Sequence, residues 1–96
     1  MKILGEVASD DCFDGELIRE YRLDSEIGKA FIEHLGDFGT LKYLSHLTHP
    51  FFRLDRAGMF TIKGVLGWDT IKVVYRKETM EEAEKLLSKI IEGSDP

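Results

Sequence analysis

Apolar and polar positions alternate along several short runs of the chain and recur at helical spacing along two others. Ile3 and Val7 share one side of a loosely alternating run from Lys2 to Ala8, and Leu17, Tyr21 and Leu23 repeat the pattern after an acidic stretch. A period of two predicts two strands around a bend. Ile27, Ala30, Phe31, His34, Leu35 and Phe38 then build one apolar stripe, which predicts a helix capped by Asp24 or Ser25. Gly36 is expected to close it, because glycine readily takes the left-handed conformation that ends helices.

The segment TLKYLSHLTHP fits two patterns at once. Leu41, Leu44 and Leu47 suit a helical turn, whereas Thr40, Tyr43 and Thr48 suit a strand. It reads as a connector with a short strand as an option, and Pro50 biases His49 toward extended backbone. Beyond it the alternation sharpens. Phe52 and Leu54 alternate with Arg53 and Asp55; Phe60, Ile62 and Leu66 with Thr61, Lys63 and Val65; Ile71, Val73 and Tyr75 with Lys72, Val74 and Arg76. These are half-buried antiparallel strands, with glycine-bearing bends at RAG and LGWD. TMEE offers a capping box from Thr79 to Glu82, opening a second amphipathic helix through Met80, Ala83, Leu87 and Ile90 to Gly93.

Two amphipathic helices and about five strands, each with one apolar face, are accommodated by laying both helices on one side of a mainly antiparallel sheet. The expected fold is therefore α+β, a two-layer sandwich. Its other sheet face carries Lys63, Lys72, Arg76 and Arg53 outward.

Length and composition sharpen this picture. At 96 residues the chain is expected to form one small globular domain, residues 1–96, and 43% hydrophobic with 32% charged residues excludes a disordered class. The single cysteine rules out an internal disulfide framework, which suits a reducing, cytoplasmic setting. Gly5 and Glu6 interrupt the first apolar stretch too early for a secretory signal, and no run approaches the ~20 apolar residues of a membrane span. The expectation is a monomer or small homo-oligomer with no membrane partner.

The formal charge of −5 argues against a nucleic-acid partner on average. The average conceals a sorted distribution: residues 51–77 sum to +4, those before to −5 and those after to −4.

The stretch SDDCFDGE packs four acids around Cys12. With Asp10 as the first position of an EF-hand loop, Asp14 and Gly15 fall where that loop places an acid and its invariant glycine. Cys12 then stands where an oxygen is needed, and Tyr21 where the bidentate glutamate belongs, so the loop is not an EF-hand. A divalent-cation site built from Asp10, Asp11, Asp14 and Glu16, calcium before magnesium, is weighed against a plain polar turn in which Asp14-Gly15 supplies the bend.

His46 and His49, three apart, with Cys12 and His34 complete the inventory for a zinc set, but residues three apart on a strand point to opposite faces. No G-x-S-x-G, P-loop, G-x-G-x-x-G or H-E-x-x-H motif is present, and carboxylates around Cys12 suppress its thiolate. Catalysis is not expected. The function expected first is a non-enzymatic binding protein that holds Ca2+ in the acidic loop. The alternative is an interaction module that offers Lys63, Trp68, Lys72 and Arg76 to an acidic protein surface, or to an anion or nucleic acid.

Overall fold

The computed structural model describes residues 1–13 and 16–93, with the backbone alone for residues 8–13. In chain order the elements are β1 (Ile3–Phe13), β2 (Glu16–Leu23), α1 (Lys29–Leu35), β3 (Thr40–Leu44), β4 (Phe51–Arg56), β5 (Phe60–Val65), β6 (Thr70–Arg76) and α2 (Met80–Glu92). The strands form one antiparallel sheet in the order β1-β2-β6-β5-β4-β3. The α+β class holds. The sheet has six strands, against about five expected, because Thr40–Leu44 pairs with β4 from Thr40↔Asp55 to Leu44↔Phe51.

One face of the sheet is buried. Phe52 and Leu54 of β4, Phe60 and Ile62 of β5, Ile71, Val73 and Tyr75 of β6 and Leu23 of β2 join a single core with Phe31, Ile32 and Leu35 of α1 and Ala83, Leu87, Ile90 and Ile91 of α2. Each large side chain so enclosed is worth roughly 1.5–3 kcal/mol against exposure. Close packing shows at Gly64, where a Cβ would lie 2.6 Å from the Phe52 ring and 3.2 Å from Ile27. Only the absence of a side chain lets Phe52 lie over β5 and meet Phe31 edge to face. Tyr21 and Tyr75 place their hydroxyls 2.6 Å apart inside this core, each supplying the other's partner.

Local signals for helix ends give way to tertiary contacts. α1 begins at Lys29, after Gly28, and not at Asp24 or Ser25. Asp24 instead accepts the backbone N–H of Lys2 at 2.9 Å. Ile27 stays outside the helix, donating its N–H to the Trp68 carbonyl (2.7 Å) and accepting that of Gly67 (2.9 Å). At the other end Gly36 remains right-handed, φ −60°, and the chain tightens into a 3₁₀ turn over Gly36–Phe38. Left-handed glycines occur in the hairpin bends, at Gly58 (φ 77°) and Gly67 (φ 89°), as RAG and LGWD suggest. The capping box at Thr79 is not made. Its hydroxyl donates to the Gly58 carbonyl at 2.8 Å, tying the start of α2 to the β4–β5 bend.

Among the described residues no helix is long and apolar enough to cross a membrane.

Candidate anion-binding face

Among the described residues no helix lies over the second face of the sheet, and strand register decides what it displays. Val7, Glu20, Lys72, Lys63, Arg53 and Lys42 are successive cross-strand partners on β1, β2, β6, β5, β4 and β3. Four cations therefore stand side by side on four adjacent strands, with Glu20 at one end. Like charges directly opposite on a sheet cost roughly 0.2–1 kcal/mol per pair, and three such pairs occur here in sequence. Asp55 moderates one member, its carboxylate lying 3.0 Å from the Arg53 Nε. The Thr61 hydroxyl, donating at 2.7 Å, and then Arg53 hold the Asp55 carboxyl below its ordinary pKa, against a smaller opposing effect of burial.

A second row runs beside the first. Val65, Phe51 and Leu44 occupy the neighbouring outward positions, through Leu44↔Phe51 and Phe51↔Val65, and Thr70 at the start of β6 lines the same cleft as Val65. Trp68 stands at the bend joining β5 to β6, 54% exposed, and Leu44 is 41% exposed. A cleft of about 270 Å³ lies between the rows, lined by Phe51, Lys63, Val65, Trp68, Lys72 and Glu20 among others. The backbone beneath Trp68 is held from several sides: its carbonyl accepts from Ile27, its N–H donates to Val65 (3.1 Å), and the Leu66 N–H donates to Pro50 (2.8 Å). An exposed aromatic ring on a fixed backbone loses little entropy on contact.

Of the expected partner-binding residues, Lys63, Trp68 and Lys72 share this cleft. Arg76 is on the same face, farther along β6, in a second cleft of about 250 Å³ with Arg53, Asp55, Thr61 and Glu16. Lys42 extends the row from β3, in the segment whose spacing fits both helix and strand.

The expected calcium ligands fall mostly outside this description. Asp14 is outside the described residues, and the side chains of Asp10 and Asp11 are too, although their backbone lies within β1. The pairing of β1 with β2 shifts register between Ala8↔Arg19 and Cys12↔Leu17, so Asp10 and Asp11 fall in an irregular stretch of the strand before pairing resumes to Phe13↔Glu16. Glu16 is exposed and pairs across strands with Arg76. Among the described residues no group of three His, Cys, Asp or Glu side chains could hold a metal ion.

The histidines are apart from one another in role. His46 and His49 are exposed between β3 and β4. His34 donates Nε2–H to the Ile90 carbonyl at 2.9 Å and packs edge-on to Phe38. That carbonyl lies in the last turn of α2, where helices leave acceptors unpaired, so His34 closes a helix end. A larger cleft, about 430 Å³, separates β1 from α2 and carries Glu6, Glu84 and Glu92 with Lys2. No family model, curated protein or solved structure matches the chain.

Proposed function

We propose that the chain is a non-catalytic binding module that holds a polyanionic partner against its open sheet face, with Lys63, Trp68, Lys72 and Arg76 in contact. The observation that carries this reading is the register that aligns Lys42, Arg53, Lys63 and Lys72 across four strands. Such a row opposes its own sheet electrostatically, and a bound polyanion converts that repulsion into attraction. The adjacent cleft supplies apolar contact at Trp68 and Phe51, which a row of charges alone lacks. The chain's single tryptophan reports directly on the face. Titration with inorganic polyphosphate or polyglutamate is expected to change Trp68 emission saturably, and Lys72→Glu to abolish the change while the fold persists. Emission unmoved by every polyanion, these two polymers and nucleic acid alike, removes the reading.

A further inference from the structure

We infer that the polyanion is a single-stranded nucleic acid lying across the strands, its phosphates on the Lys42, Arg53, Lys63 and Lys72 row and its bases on the row that leads from Leu44 through Phe51 and Val65 to Trp68. The inference rests on the polyanion reading above and specifies its chemistry. Two rows of different character run side by side across the strands, the cationic one and a shorter apolar one of Leu44, Phe51 and Val65, with Trp68 at the adjoining bend lining the same cleft. A single strand has the same division, a charged backbone along one side and flat π faces along the other. The three steps between neighbouring strands give the cation row a span of about 14 Å, room for a few consecutive nucleotides.

An acidic peptide fits this face less well. Extended peptides bind sheets by adding to an edge, where backbone N–H and C=O groups are free, whereas the face shows side chains only and leaves the peptide's own backbone unpaired. Lys63 and Lys72 lie on interior strands, away from both edges. Duplex nucleic acid keeps its bases stacked inward, out of reach of Trp68 and Phe51. The net charge of −5 does not oppose the contact, because the field at a surface row is set by charges within about a Debye length, roughly 8–10 Å.

The test uses the full chain with uridine and thymidine oligonucleotides of about eight residues, a duplex of matched length, polyglutamate and polyphosphate. Saturable quenching of Trp68 by the single strands is expected, with log affinity falling against log salt at a slope of about −2 to −3, the value for three or four neutralised phosphates. Lys63→Glu and Lys72→Glu are expected to weaken binding at least tenfold. Trp68→Ala, followed by anisotropy of a labelled strand, should weaken it about tenfold. Each variant is first checked for cooperative urea unfolding. Binding of polyglutamate or polyphosphate without binding of the single strands overturns this inference and leaves the polyanion reading standing. A duplex bound as tightly as the single strands, or single-strand binding indifferent to Trp68→Ala, overturns it as well. Silence toward every polymer overturns both.

Discussion

Tyr75 lies fully inside the core with its hydroxyl against that of Tyr21, and the pair controls how the protein meets alkali. Burial is the main cause holding the Tyr75 phenol far above its ordinary pKa of 10.0, and the Tyr21 hydroxyl adds to it. Burial also raises Tyr21, against the opposing effect of its bond to Tyr75. The unfolded chain releases these protons near pH 10, while the native chain keeps them. Their contribution is therefore complete below about pH 10 and shrinks as pH rises, by up to about 1.4 kcal/mol per pH unit for each tyrosine. Urea midpoints followed from pH 8 to 11 should fall more steeply for the native protein than for Tyr21→Phe/Tyr75→Phe. Equal slopes would assign the loss elsewhere. Tyr75→Phe alone should cost about 1–3 kcal/mol by stranding the Tyr21 hydroxyl, more than an equivalent share of the double change.

At the level of elements, the sheet carries a conflict between stability and binding. Lys63 stands between Arg53 and Lys72, so Lys63→Glu turns two opposed pairs into two attractive ones. The variant should unfold about 1 kcal/mol later than the native protein while losing affinity for polyanions. A destabilised variant in urea titration would mean that the lysine stem packs in a way its charge does not reveal. The strands β4, β5 and β6 and their inward residues are legible from alternation, and so is each outward cation taken singly. The row is not, because it joins residues 42, 53, 63 and 72 through a register that no local pattern encodes. Lys42 is hidden further by the leucines around it, whose spacing suits a helical turn. Thr79 shows the converse. Its capping box is a sound local signal, but the Gly58 carbonyl, 21 positions away in sequence, takes the hydroxyl. His34 likewise belongs by spacing to the apolar stripe of α1, and only the packing of α2 reveals that it closes that helix at Ile90.

Taken whole, the molecule separates its charge by layer. α2 exposes Glu81, Glu82, Glu84 and Glu92 against Lys85 and Lys89, a net negative helix, while the row of cations occupies the opposite face of the sheet. A protein of net charge −5 so arranged should be retained on phosphocellulose near neutral pH at low salt and elute as salt rises. Lys63→Glu and Lys72→Glu together should abolish retention; a native protein that flows straight through would show that the face is neutralised by its own acids.

The position of β6 has a consequence for how the chain is made. It lies between β2 and β5, so Glu16 finds Arg76 and Arg22 finds Thr70 only after the last strand exists. On the ribosome the amino-terminal hairpin must therefore wait, unattached, while the β3-β4-β5 meander gathers behind it, and the final strand to emerge is the one that joins the two halves.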